Sequence, residues 1–181
     1  EFKDDAYTVN LIDNDDYKSR FFSFVYSSLK TPSSIFSQDL YSDKRKKLWK
    51  QKINNYKENR YEIKRINIIA RDKTKVPISL IYKKGINLKK APLLQYGYGS
   101  YGLIIEPSFK LSFMPLIDEG FIFAIAHIRG GQDLGRDWYD QGRMMKKMNS
   151  FYDFIDCTKK LIKRGIGNKN KIFAMGGSAG G

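Results

Sequence analysis

The sequence predicts an α/β protein whose first portion is β-structure alone. Three observations carry this. Short runs rich in aromatic and β-branched residues, divided by turn-forming clusters, fill residues 1–52. From Pro92 onward, apolar strand-like runs alternate with helix-like stretches, the pattern of a parallel sheet with crossover helices. The last residues, Ile172-Phe173-Ala174-Met175-Gly176-Gly177-Ser178-Ala179-Gly180-Gly181, read as a buried strand entering a Gly-rich turn that carries a serine.

In chain order, residues 6–12, 21–27, 35–40 and 46–52 are strand candidates, and four such strands make one antiparallel meander. A lone meander of this size buries little and exposes two edges, so it needs neighbours. Residues 51–60 are polar and basic and read as a linker. Residues 62–70 and 76–82 alternate around a turn at 71–75, a β-hairpin signature, and Pro77, lacking a backbone donor, favours an edge or a strand start. Residues 93–96 form a short buried strand that runs into Gly97-Tyr98-Gly99-Ser100-Tyr101-Gly102. A helix is expected over 109–119, ended by Gly120. Residues 121–127 form an unbroken apolar strand, as expected when both faces are covered. A helix around 136–145 follows. The clearest helix spans 149–164, with Ser150 and Asp153 as a capping box and Phe151, Phe154, Ile155, Thr158, Leu161 and Ile162 on one face.

The terminal turn fits G-x-S-x-G at Gly176, Ser178 and Gly180, the nucleophile elbow of α/β-hydrolases. A serine on so sharp a strand-to-helix turn adopts a strained backbone with its hydroxyl exposed. Its neighbours two residues away are forced together, where a Cβ would clash. The catalytic acid and histidine of that fold follow the serine in sequence. None follows here, so the chain reads as a fragment that holds the nucleophile without its activating partners.

Composition narrows the function classes. A hydrophobic share of 41% and an aromatic share of 14% suit a globular core. No run approaches the roughly 20 apolar residues of a membrane span. Cys157 is the only cysteine, which excludes an intramolecular disulfide and suits a reducing cytoplasm. No metal-ligand or cofactor pattern stands out. The net charge of +14 invites a nucleic-acid reading, since residues 43–65 hold ten Lys/Arg against three acids beside Trp49, Tyr56 and Tyr61. Lys outnumbers Arg, and Ile, Asn and Tyr are plentiful, so a solvated basic face is the preferred reading and no nucleic-acid partner is expected. Cys157 reads as inert packing in its helix. His127 is the only histidine; its place at the end of a buried strand, ahead of the serine, argues against a general base.

Several stretches together resemble the prolyl oligopeptidase family of serine peptidases, most closely its oligopeptidase B (protease II) branch. They are Val25-Tyr26-Ser27-Ser28-Leu29 with Thr31-Pro32; Ala70-Arg71-Asp72 through Val76-Pro77-Ile78-Ser79-Leu80-Ile81-Tyr82; Tyr96-Gly97-Tyr98-Gly99-Ser100-Tyr101-Gly102; Ala126-His127-Ile128-Arg129-Gly130-Gly131 with Leu134-Gly135; and Ala174-Met175-Gly176-Gly177-Ser178-Ala179-Gly180-Gly181. The resemblance implies the last antiparallel blade of a β-propeller over 1–52, then the N-terminal part of an α/β-hydrolase peptidase domain over 53–181. It implies Ser178 as nucleophile, with the Ala179 backbone N–H and the Tyr98 hydroxyl as oxyanion-hole donors. It makes His127 structural or a supporting neighbour of the site. Arg129 reads as a partner for an acid near the sheet's C-terminal edge, with no catalytic role. Gln132 and Asp133 depart from the family's usual Gly-Glu. If position 132 required positive φ, Gln132 would strain the turn by roughly 1–2 kcal/mol.

The implied activity is hydrolysis of short peptides after Lys or Arg through an acyl-enzyme, in the cytoplasm, with no cofactor and no membrane. The acids that select the basic residue would lie beyond the chain. The 181 residues alone are expected to be inactive, and a catalytically dead remnant or interaction fragment is the alternative. An esterase or lipase of the same fold is disfavoured by the β meander and the tyrosine loop.

Overall fold

The computed structural model describes residues 2–181. Nine strands form two sheets. The first is an antiparallel meander in simple order, of β1 (Tyr7–Leu11), β2 (Phe21–Ser28), β3 (Ser34–Asp39) and β4 (Arg45–Lys50). The turn clusters fall between them as the sequence requires. Alternation puts Phe24 and Phe36 opposite each other, and their rings stack at 5.7 Å. A bulge at Ile35/Phe36 shifts the register against β4.

The basic segment is largely occupied with its own neighbours. The Arg45 guanidinium lies 5.3 Å from the Phe24 ring, and Lys47 lies 5.6 Å from Phe36. Lys50 pairs with Glu58, Lys64 with Glu62, and Arg60 reaches Asp118 at 3.7 Å.

The second sheet has the order β5-β6-β8-β7-β9, with β5 (Tyr61–Ile69), β6 (Lys75–Lys83), β7 (Leu93–Tyr96), β8 (Ile122–Ala126) and β9 (Ile172–Met175). Strands β8, β7 and β9 are parallel, and the β5–β6 hairpin joins them antiparallel at β8. Alternate residues feed two cores. Ile78, Leu80, Ile122 and Ala124 face α3 (Met148–Lys163) on one side; Ile81, Phe123 and Ile125 pack with Met114 and Ile117 of α1 (Met114–Asp118) on the other. All five residues of β8 are buried, as a strand covered on both faces should be.

Of four expectations, the first is met and the other three are corrected. First, β6 is an interior strand, and Pro77 stands near its start, one of the two positions expected for it. Pro77 accepts the His127 N–H at 3.0 Å, just past the end of β8. The proline has no N–H to return, and the indole of Trp138 donates to the His127 carbonyl instead, at 3.1 Å. Second, the helix expected over 109–119 is a 3-10 turn at Leu111–Phe113 leading into the short α1, because Pro115 cannot donate within a longer helix. Third, the helix expected over 136–145 stops as α2 (Arg136–Asp140), and a 3-10 turn follows at Met144–Lys146. Between them Gly142 packs so close to residues 129 and 130 that a Cβ there would lie 2.1 Å from the Gly130 nitrogen.

Fourth, α3 has no capping box. Lys147 is its N-cap and makes no side-chain cap. Its buried face is Ser150, Asp153, Asp156, Cys157 and Leu161, while Phe151 and Ile155 are 47% and 42% exposed. Burial pushes the Cys157 thiol well above its ordinary pKa, which suits packing and not reactivity.

The meander meets the rest of the molecule mainly at one end. Leu29 and Ala6 enter the second core, and Ser27 Oγ accepts the Phe109 N–H at 3.0 Å. Asp4 gathers Ser28 Oγ (2.6 Å), Tyr26 Oη (2.8 Å) and Lys30 Nζ (2.8 Å) around one carboxylate.

Candidate active site

Parallel pairing brings two distant loops together. β7 and β9 match residue for residue, Leu93↔Ile172 through Tyr96↔Met175. The chain therefore leaves both strands side by side at their carboxyl ends. Strand β8 lies on one side of β7 and β9 on the other, so the two crossovers depart in opposite directions. Such a switch point opens a crevice above the strand ends.

After β9 the backbone turns sharply. Ser178 is exposed and has φ +51°, a left-handed conformation that costs a non-glycine residue about 1–2 kcal/mol. A 3-10 turn, Ser178–Gly180, follows. The flanking glycines have steric reasons. A Cβ on Gly176 would lie 1.9 Å from the Gly180 carbonyl oxygen, and one on Gly180 would lie 2.9 Å from Tyr98 Cδ2. Tyr98 thus packs directly against the serine turn. Tyr98, Ile128, Phe154, Met175, Ala179 and Gly180 line a cavity of 490 Å³. A second cavity of 480 Å³, on Ser100, Tyr101, Tyr139, Met144 and Ala179, adjoins it.

The loop that carries Tyr98 is held from below. Gly102 N–H donates to the Gly130 carbonyl at 3.0 Å, and Ser150 Oγ donates to the carbonyl of Arg129 at 2.6 Å. Arg129 is 5% exposed, and its guanidinium pairs with Asp153 at 2.6 Å and Asp72 at 2.7 Å. Burial works against the charge of Arg129. The two carboxylates outweigh it and hold the guanidinium pKa above its usual value. Arg129 is therefore structural, and the acids it was expected to meet are Asp153 and Asp72.

His127 is 2% exposed and fully engaged. Its Nε2 lies 2.8 Å from Ser79 Oγ, and its Nδ1 lies 2.8 Å from Asp133. It has no free face to offer Ser178. Asp133 thereby anchors the turn that follows β8. Gln132 does not adopt positive φ, so the strain considered for that position does not arise.

That Ser178 and the Tyr98 loop belong to one site was implied by the family resemblance and by no local pattern. The brace beneath them was implied by neither: Ser150 and Asp153 look like a cap when read locally, and Lys147 looks like one more surface lysine. The only signal was that Ser150, Asp153, Cys157 and Leu161 share one stripe at helical spacing, with two polar members among the buried positions.

The sequence pattern described as the Prolyl oligopeptidase family matches residues 107–181. Dipeptidyl aminopeptidase BI of Pseudoxanthomonas mexicana is 42% identical over 178 residues, covering 97% of this chain and 25% of that protein. Protease 2 of Moraxella lacunata is 35% identical, over 97% of this chain and 26% of its own length. The chain spans about a quarter of the length of these relatives. Among solved structures, oligopeptidase B from Trypanosoma brucei with covalently bound antipain superposes with a TM-score of 0.90 at 38% identity, over 99% of this chain and 26% of that one. A mixed α/β sheet with the serine turn beside the tyrosine loop, the matched family pattern, and likeness across nearly every residue to peptidases including the oligopeptidase B structure lead to one assignment: the chain belongs to the prolyl oligopeptidase family.

Proposed function

We propose that these residues supply the nucleophile and the oxyanion hole of a serine peptidase. Ser178 Oγ attacks the scissile carbonyl, and negative charge gathers on the carbonyl oxygen. The Ala179 N–H and the Tyr98 hydroxyl receive that charge, each such fixed donor contributing about 2.7–4 kcal/mol. The amine leaves, and water releases the acyl group from Ser178. The observation that carries this reading is the left-handed Ser178 in a turn whose Gly180 packs against Tyr98, the two loops leaving adjacent parallel strands. With its sole histidine committed to Ser79 and Asp133, the 181-residue chain by itself offers Ser178 no general base. Loss of the base costs on the order of 10⁶ in kcat, so isolated residues 1–181 are expected to be inactive.

The β1–β4 meander is read as the last blade of a β-propeller, and residues 53–181 as the first part of the hydrolase domain. Likeness to oligopeptidase B favours short peptides cut after Lys or Arg. The 42% identity to a dipeptidyl aminopeptidase favours a second reading, release of dipeptides from a free amino terminus. Labelling of the full-length protein by a fluorophosphonate, lost in Ser178→Ala, tests the chemistry; a label that survives the change refutes it. Reporters ending in arginine, with blocked or free amino termini, separate the two substrate classes. Cleavage of the blocked reporter supports the endopeptidase, and cleavage of the free one alone supports release of dipeptides.

A further inference from the structure

Lys147 makes contacts that a surface lysine does not need. Its Nζ donates at 2.6 Å to the Gly99 carbonyl and at 2.6 Å to Ser100 Oγ, both in the loop that carries Tyr98. It lines both cavities beside Ala179 and lies 5.6 Å from the Phe151 ring. Among the described residues no carboxylate comes within ion-pair distance of it, although seven aspartates take part in pairs with Arg or Lys.

The position is unfavourable for a cation on two counts. Lys147 is the N-cap of α3, a 16-residue helix whose positive end repels it. Burial also disfavours its charged form and lowers its pKa. A lysine that served only solubility would extend into water. This one turns back onto the Tyr98 loop, whose backbone is held in left-handed conformations at Gly99 (φ +65°) and Tyr101 (φ +57°). Such a loop keeps its shape only when the surrounding structure over-determines it.

Resting on the reading of Tyr98 as an oxyanion donor, we infer that Lys147 is a positioning residue: by holding the Gly99 carbonyl and the Ser100 hydroxyl, its ammonium aims the Tyr98 hydroxyl at the developing oxyanion. Lys147 touches no reacting atom and acts through Tyr98. Its removal should lower kcat and leave KM nearly unchanged, because the donor matters most in the transition state.

The test is a double-mutant cycle in the full-length protein, on a peptide reporter. Tyr98→Phe should lower kcat by roughly 10²–10³-fold, as loss of one oxyanion donor does. Lys147→Met should lower kcat by about tenfold in the parent and by less than about twofold in the Tyr98→Phe background, because residues that act as a unit are non-additive. Lys147→Arg should recover part of the loss. Equal losses from Lys147→Met in both backgrounds would overturn the inference while leaving Tyr98 as a donor. A normal kcat in Tyr98→Phe would instead remove the donor reading, and this inference with it. If Lys147→Met fails to fold, Ser100→Ala keeps the cation and removes one of its acceptors. It should show a smaller loss with the same dependence on Tyr98, and an additive loss there would equally overturn the inference.

Discussion

The meander and the five-stranded sheet differ in where their apolar side chains go. In β8 every residue is buried between two helical layers, whereas in β4 Leu48 and Trp49 are half exposed. Among the described residues, the cores on the two faces of the large sheet draw only Ala6 and Leu29 from the first fifty positions. The meander is instead joined to the rest by polar contacts at one end: Ser27 accepts the Phe109 N–H, Thr31 donates to Glu58 and Tyr56 donates to the Lys30 carbonyl, while Asp4 ties the turn after β2 to the first residues. A sheet covered by its own helices is stabilised by burial in proportion to area. An uncovered meander relies on directional bonds at its junction, and loses them one at a time.

The largest effects should therefore come from the covered sheet. Asp153→Asn leaves Arg129 buried without its best partner and should cost about 3–5 kcal/mol, read from urea unfolding of the full-length protein. A loss under 1 kcal/mol would show that Asp72 alone can carry the guanidinium. Leu80→Ala opens a cavity in a fully buried site and should cost about 2–5 kcal/mol in the same assay. Asp4→Asn should cost about 1–3 kcal/mol and speed proteolysis within residues 1–52 while leaving the large sheet protected. Uniform protection would break the contrast between the regions.

Acid should act through the same contacts. Arg71 bonds Asp156 and holds its pKa below the usual carboxylate value; at Asp4 burial pushes the pKa up, but Lys30, Ser28 and Tyr26 outweigh it and the net shift is down. A depressed native pKa stabilises above the unfolded value, near 3.9, and that stability is lost as pH falls through the native value. Unfolding should thus set in below about pH 4, and Asp156→Asn should flatten that limb of the profile. The smallest effect belongs to the exposed strand: Leu48→Ala should stay within about 0.5 kcal/mol of the parent. A larger loss would mean that another layer covers β4.

Residues 22–27 alternate, residues 121–127 read as a continuous apolar strand, and G-x-S-x-G closes the sequence. Each of these patterns is local, and each made its element legible from the sequence. The sharp turn at Ser178 was legible for the same reason, since its glycine spacing follows from steric crowding within five residues. The helix ends were not. Pro115 and Gly142 stop their helices, one by lacking a donor and the other by pressing against a loop twelve residues earlier in the chain.

What residues near in sequence can decide, the sequence decided: the strands, the turn clusters, the serine turn and the family likeness. The tertiary structure alone set which strands lie side by side, and through the pairing of β7 with β9 it placed Tyr98 against Gly180. It also turned Ser150, Asp153 and Lys147 away from helix capping and towards the loop beneath the site. Those choices depend on partners dozens of residues away, whose burial and charge outweigh the weak local preference of any one side chain.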